Sequence, residues 1–583
     1  MAKMTGAQAI LQCFKKEEAN LAFGYPGGTI MPLYDAMLDE KWFRHILVRH
    51  EQGAAHAAEG FAKVTGKVGV AISTSGPGAT NLITGLADAY MDSVPIIGIS
   101  GQVASHLIGN DAFQEADMFG MTMPMVKHNY KILNVEEVPM VFKNAFHIAR
   151  TGRPGPIHID LPKDVQTNQL DFSYPEKPVL PGYNPPVRPG HPEQIKRAVE
   201  ILEKAEQPVL LVGGGVIISG ASKEVQRLSE LLFAPIVTTL MGKGAVDERH
   251  PLVLGMTGMH GKRLCNYALA NADVVVAIGC RFADRITGRV QTFAPFMKHL
   301  IHIDIDSAEI GKNINRVDIP IVGDAKLTLQ SMLHVLGERK GHKNAWTDRL
   351  KELKANCECN LDYDETPIWP HKVMFELQKT IGDKTIIVTE VGQNQMWAAH
   401  FLKISGPRKY VTSGGLGTMG FGLPASVGAK AGMPDHDVID VAGDGSVMMT
   451  CQELGTSKTA DLPFTVYLLN NGWLGMVKQW QKLFMNKRYS GTHLGSTTDF
   501  VKLAQAFGCD GERVSRPSEL AGALKRAKKS DVAYMIDIAV DPEVDVLPML
   551  APGGDADSKT MIGSGVGCSK WKEPGPLRME KSG

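Results

Sequence analysis

Residues 438–473 read VIDVAGDGSVMMTCQELGTSKTADLPFTVYLLNNGW. An apolar run (Val438, Ile439, Val441, Ala442) meets the turn Gly443-Asp444-Gly445 and gives way to helical spacing. A second apolar run, 464–469, follows Pro463 and stops at Asn470-Asn471. Short apolar runs on either side of a glycine turn and an amphipathic stretch predict strand, turn, helix, strand, the βαβ unit of a parallel sheet.

Such a turn gathers backbone N–H groups and the positive end of a helix at one point, a place for phosphate. Asp444 adds a carboxylate that alone would repel phosphate. A divalent cation between them removes the conflict, since Mg²⁺ takes about six oxygens and usually only one or two from carboxylates. Asn471, ending the neighbouring strand, brings an amide oxygen to the same edge. GDG followed about 25 residues on by NN resembles the metal and diphosphate motif of thiamin diphosphate enzymes. The resemblance implies that Asp444, Asn471 and the carbonyl of Trp473 hold Mg²⁺, with Gly445 and Ser446 beside the diphosphate.

The 583 residues are too many for one core, so several domains are expected. With 62 basic and 62 acidic residues the formal charge is zero, which gives no reason to expect a nucleic-acid or anionic-membrane partner. The first residues, MAKMTGAQAILQCFKKEE, read as an amphipathic helix capped at Thr5 rather than a targeting signal, and no apolar run reaches membrane-spanning length. Eight cysteines without a CxxC pair, Cys357 and Cys359 among them, read as reduced thiols in a cytosolic or organelle-matrix protein, and a cytoplasmic location is expected.

Residues 1–173 alternate helices (5–18, 30–40, 53–65) with strands (21–24, 45–48, 68–73, 95–99), again a parallel α/β pattern. Displaced by 368 positions, the segment around Gly76 overlays that around Asp444: Leu86 and Leu454 fall in register, and Pro95 and Pro463 each open an apolar strand. The chain therefore reads as two copies of one domain, with the acid only in the second copy's turn. A Pro-rich linker spans 174–194. A third α/β domain, 195–345, is expected with strands at 208–212, 236–239, 274–279, 300–305 and 321–323, followed by a linker at 346–366. The second copy covers 367–551, and a tail without periodicity, 552–583, is expected to be mobile. The fold class is α/β, with three doubly wound parallel-sheet domains.

In His50-Glu51-Gln52-Gly53, Glu51 sits where a strand gives way to a helix, and a favourable dipole interaction would account for it. Among thiamin enzymes an HEQG-like Glu bonds a pyrimidine ring nitrogen and promotes loss of the thiazolium C2 proton, so the resemblance gives Glu51 that role. It places Gly417 and Met419, in GGLGTMG (414–420), beneath the cofactor, and Gly392 and Gln393 at the diphosphate. Gly213-Gly214-Gly215, TGRPGP (151–156), GMHG (258–261), GCRFADR (279–285) and HIDID (302–306) resemble the FAD-binding set of the acetohydroxyacid synthase family. Arg153, Gly213, Gly214, Gly215, Met259, His260, Arg281, Arg285, Asp304 and Asp324 carry over, with Ala283 where the family has an acid.

In that family a Trp matching Trp480 shapes the second-substrate pocket, and Gly28, Gln114 and Lys127 match other active-site segments. The resemblance spans residues 5–551. It implies decarboxylation of pyruvate and condensation of the two-carbon unit with pyruvate or 2-oxobutyrate, a homodimer or tetramer with sites shared between subunits, and a separate regulatory small subunit. A catabolic acetolactate synthase without FAD, a pyruvate oxidase and a non-catalytic paralogue are the alternatives.

Overall fold

A computed structural model describes residues 3–185, 187–337, 344–356, 361–495 and 497–563. Cys357, Cys359 and the end of the expected mobile tail lie outside these. The five cysteines described, Cys13, Cys265, Cys280, Cys451 and Cys509, are free. The chain forms two compact units, one of Met1–Pro185, Lys384–Gln395 and Val411–Pro542, the other of Pro186–Asp383, Met396–Tyr410 and Glu543–Gly583.

The first unit holds two six-stranded sheets. In one the strands lie in the order Arg44–Leu47, Leu21–Gly24, Gly69–Ser73, Ile96–Gln102, Ile157–Pro162, His128–Lys131, all paired in parallel. In the other the order is Tyr410–Val411, Thr385–Thr389, Asp437–Gly443, Thr465–Asn470, Tyr534–Ala539, Asp510–Val514. The duplication expected from sequence is thus a duplication of topology, since both sheets follow the same path through the chain. Their central strands are buried on both faces, Gly69–Ser73 and Ile96–Gln102 throughout, so their sequences read as unbroken apolar runs.

The two copies meet through the helices Glu51–Thr65 and Gly422–Gly432. Both are rich in Ala and Gly, and a Cβ on Gly428 would lie 1.8 Å from the Ala57 carbonyl oxygen. Only a glycine allows backbones this close. The first of these helices starts at Glu51, not 53, because the His50 side chain accepts from Gln52 N and caps it. Thr5 and Gln8 form the capping box that starts the first helix, Gly6–Lys16.

Two expected helices are broken. The stretch after Gly76 forms Pro77–Asn81 and Ile83–Asp92, and the stretch after Gly443 forms Asp444–Val447 and Glu453–Thr459. A four-residue helix has little macrodipole, so the Asp444 turn depends on its individual N–H groups more than on a dipole.

The second unit's parallel sheet runs Val253–Met256, Ile236–Thr238, Pro208–Val212, Val274–Ile278, His299–Asp304, Ile319–Val322. Strand Val253–Met256 was not expected: it is short, holds Gly255 at φ +125° and pairs across a register shift. Helix Ala345–Asn356 occupies much of the stretch read as a linker. Part of the supposedly mobile tail is fixed, which corrects that reading: Arg263 donates to the Ser558 and Met561 carbonyls, and Gly288 bridges to Asp555.

Candidate active site

At the carboxyl edge of the first sheet, Glu51 is 8% exposed and its Oε2 accepts a 3.0 Å hydrogen bond from Asn81 Nδ2. A Cβ on Gly78 would come within 3.0 Å of Glu51 Oε1, and one on Gly76 within 3.0 Å of Gln114 Cα. The Gly-rich turn thus brings Glu51 and Gln114 to one place. Gly27 packs on Thr74 just past the strand Gly69–Ser73, while Gly28 faces open space.

Lys127 is not brought there, which corrects its assignment to the active site. It immediately precedes the strand His128–Lys131, at the amino edge, and its Nζ donates to the Ile148 and Thr151 carbonyls and to Tyr183 Oη. A cation on the last carbonyls of the helix Val138–Arg150 is a C-terminal cap. Arg153, also at that amino edge, donates to Ser93 Oγ at 2.8 Å.

The second sheet's carboxyl edge carries the other group. Asp444 Oδ2 accepts from Gly472 N at 2.8 Å, and Asn471 Oδ1 accepts from Trp473 N at 2.9 Å. Asp444, Asn471 and Trp473 therefore meet at a single turn, as the βαβ reading requires. Burial pushes the Asp444 carboxyl up to about 6, against the pull of the Gly472 and Gly445 N–H groups. An acid held this way gains from a cation brought beside it.

Asn471 Nδ2 reaches Gln393 Oε1 at 3.3 Å, so the 391–394 loop lies at the same turn. Met419 does too: a Cβ on Gly445 would be 3.6 Å from its Cε. Ser446 Oγ accepts from Gly420 N at 2.9 Å. Trp480 lies on the adjoining helix Gly475–Phe484, edge-to-face with Phe484.

The loop leading to Gly417 and Met419 is held by the first copy. Gly414 N and Gly415 N donate to Asp92, and Ser413 Oγ donates to Asp88 Oδ1 at 2.6 Å. Asp92 and Glu59 in turn flank Lys63 Nζ, at 2.8 and 3.1 Å.

In the second unit, the residues singled out for FAD follow the carboxyl ends of the sheet's strands. The chain builds outward in one direction from Pro208–Val212 and in the other from Val274–Ile278, so these two strands mark the switch point where α/β sheets open a crevice. There the turns at Gly213-Gly214-Gly215 and Gly279 touch: a Cβ on Gly213 would lie 2.1 Å from Gly279 O. Met259 N donates to Arg285 O at 2.7 Å and Arg285 Nη1 approaches Met259 Sδ at 2.9 Å, beside His260. The neighbouring Arg281 carbonyl accepts from Asn313. Asp304 Oδ1 accepts from Asp306 N, and Asp324 caps the helix Ala325–Leu336.

Residues 4–121, 195–332 and 390–538 match the N-terminal TPP binding, central and C-terminal TPP binding domains of thiamine pyrophosphate enzymes. A "probable acetolactate synthase large subunit" of Methanocaldococcus jannaschii is 52% identical over 94% of both chains. The acetolactate synthase large subunit of Corynebacterium glutamicum is 48% identical over 94% of this chain and 89% of its own. The acetolactate synthase of Mycobacterium bovis is 45% identical over 95% and 91%. The chain belongs to the acetolactate synthase family.

The resemblance read from the motifs is thereby borne out, as are the three parallel-sheet α/β domains and the thiamin diphosphate chemistry that defines this acetolactate synthase family. The residues present fit the family's other groups. Two oxygen-bearing side chains meet at the Asp444 turn, as a hard cation requires. In the second unit His260 Nε2 is buried without a hydrogen-bond partner among the described residues, and burial, then Arg285, lowers its pKa to about 4. A neutral imidazole with a free ring nitrogen suits a polar edge of a bound flavin nucleotide.

Three buried polar residues of this acetolactate synthase site were not read from sequence: Glu390, Asp440 and Gln479. Glu390 and Asp440 sit in or beside apolar strands, and an isolated acid there is a signal. Gln479 gives none, since a polar residue on an amphipathic helix usually faces water.

Proposed function

We propose that the chain is the catalytic subunit that joins two molecules of pyruvate, or pyruvate and 2-oxobutyrate, into 2-acetolactate or 2-aceto-2-hydroxybutyrate with loss of CO₂, on the route to branched-chain amino acids. The observation that carries this reading is the meeting of Asp444, Asn471 and Gln393 at one strand edge, in the same unit as a buried Glu51. Bound thiamin diphosphate supplies a nucleophilic ring carbon and a sink for the electrons left as CO₂ departs.

Asp444, Asn471 and the Trp473 carbonyl hold Mg²⁺, while Gly392, Gln393, Gly445 and Ser446 surround the diphosphate. Gly417 and Met419 would hold the cofactor's ring system. Glu51 holds the proton at a pyrimidine nitrogen, and Gln114 and Gly28 border the space the reacting acid enters. Trp480 forms a rigid wall for the second substrate; a methylene of difference is worth about 1–3 kcal/mol in such a pocket. Gly213, Gly214, Gly215, Met259, His260, Arg281, Arg285, Asp304 and Asp324 hold FAD, which undergoes no net redox change.

The minimum active form is a homodimer, with Glu51 of one subunit facing Asp444 of the other. Among the described residues no hydrogen bond links Glu51 to Asp444, Asn471 or Gln393. Apolar side chains also stand in water along both copies, with Phe113 88% and Met449 53% exposed, as a surface awaiting a symmetric partner does. Regulation falls to a separate small subunit. No helix among the described residues is long and apolar enough to cross a membrane; we place the enzyme in the cytoplasm.

Product analysis with pyruvate and 2-oxobutyrate in competition tests the proposal. Both hydroxyacids should form, from a yellow protein whose flavin pyruvate does not bleach. A colourless active protein would indicate the FAD-free catabolic enzyme, flavin bleaching an oxidase, and no product a non-catalytic paralogue.

A further inference from the structure

We infer that Glu390 is the positioning residue that sets Met419 against the diphosphate turn. Glu390 is fully buried at the end of the strand Thr385–Thr389, and its backbone N donates to Val441 O of the adjacent strand. It is thus at the base of the 391–394 loop, and its side chain reaches the other two loops. Oε2 accepts from Gly420 N at 3.0 Å and from Ser446 Oγ at 2.5 Å, and Oε1 accepts from Leu423 N at 3.0 Å. Ser446 Oγ in turn accepts from Gly420 N, and Thr450 Oγ1 donates to Gly420 O at 2.9 Å. One carboxylate therefore joins the diphosphate loop, the Asp444 turn and the peptide that follows Met419.

A methionine side chain has three rotatable bonds and no polar anchor of its own. Its place is set by the backbone that carries it, and here that backbone is held at both the N–H and the C=O of Gly420. The clasp needs a side chain that only accepts. Glutamine would turn an NH₂ towards one of the donors and leave a buried N–H unpaired. The other acid against this segment, Asp440, does not compete for those donors: among the described residues neither of its carboxyl oxygens has a hydrogen-bond partner. Both acids close on Gly422, where a Cβ would stand 2.5 Å from Asp440 Oδ1 and 2.8 Å from Glu390 Cγ.

This inference rests on the reading that Met419 supports the cofactor. The test uses the full-length enzyme with thiamin diphosphate and Mg²⁺, comparing wild type with Glu390→Gln, Glu390→Asp and Met419→Ala. Cofactor affinity is followed by calorimetric titration, and the rate of deuterium exchange at the cofactor's C2 by NMR after quenching. A misplacement on the order of 1 Å can cost about 10²-fold. Glu390→Gln should therefore slow exchange about that much, with a far smaller loss of affinity and an unchanged circular dichroism spectrum. Glu390→Asp, which keeps an acceptor, should recover part of the rate, and Met419→Ala should slow exchange as Glu390→Gln does.

Should Glu390→Gln fold poorly, Ser446→Ala removes one donor and no charge and should slow exchange in the same direction. Wild-type exchange in Glu390→Gln beside slowed exchange in Met419→Ala would overturn the role of Glu390. An equal fall in affinity, exchange and folded signal would overturn it too, as a general loss of structure. Unchanged exchange in Met419→Ala would instead show that the reading of Met419, and this inference with it, is wrong.

Discussion

Asn471 Nδ2 donates to Gln393 Oε1 over 3.3 Å, and Gln393 Nε2 donates to Gln479 Oε1 over 2.9 Å. This chain of amides fixes which end of Asn471 faces the Asp444 turn: the nitrogen is held by Gln393, which turns the oxygen towards Trp473 N in the turn. Outer partners of metal ligands typically alter affinity about 10- to 100-fold. Gln479→Leu, two bonds from the turn, should weaken Mg²⁺ binding in that range, read from Mg²⁺ titration of cofactor binding. Wild-type affinity would show that the amide chain does not orient Asn471.

Glu51→Gln keeps a side-chain oxygen for Asn81 Nδ2 but loses the carboxylate. Proton transfer by a positioned group contributes about 10²–10⁴-fold. Turnover of pyruvate should fall by that order while calorimetric affinity for thiamin diphosphate stays close to wild type.

Lys63 stands among Glu59, Asp88 and Asp92, of which Asp88 and Asp92 tie the first copy to the 413–415 loop. Removing one partner from a buried ion pair costs about 3–5 kcal/mol because the remaining charges are left uncompensated. Lys63→Met should lower unfolding free energy by about that amount in urea titration. It should also raise the cofactor concentration needed for half-saturation, since Gly417 and Met419 lie on the loop it secures.

Glu453 lies where the copies touch, accepting from Arg49 N and Thr456 Oγ1. Burial pushes its carboxyl from 4.5 up to about 7. The folded chain then holds a proton there that the unfolded chain has released, and stability falls with pH wherever the folded state binds more protons. The contribution is present in full below pH 4.5 and is lost as pH rises through about 7. The stability of wild type relative to Glu453→Gln, from denaturant titrations at stepped pH, should decline across that window and then level off.

Much of the architecture was legible because parallel sheets bury both faces of a strand. Residues 438–442 and 464–469 read as apolar runs, and the glycine turn between them recurs around Gly76. Strand Val253–Met256 was not legible, because a short run interrupted by Gly255 has no such pattern. The meeting of Asp444 and Asn471 at one turn was legible in the βαβ spacing. Lys127 was misplaced because sequence does not say at which end of a parallel strand a residue lies, and this one precedes its strand. Glu390 was overlooked because its function depends on Gly420, Leu423 and Ser446, which only folding brings to it.

In the proposed dimer, Glu51 of one subunit serves the Asp444 turn of another. Co-expression of differently tagged Glu51→Gln and Asp444→Ala chains, each inactive alone, tests it directly. In a two-fold symmetric dimer with shared sites, each purified mixed dimer contains one site with both residues intact and one with neither. The account predicts that these mixed dimers form 2-acetolactate at about half the wild-type rate per dimer. Mixed dimers as inactive as their parents would contradict it, placing both residues of each site on the same chain.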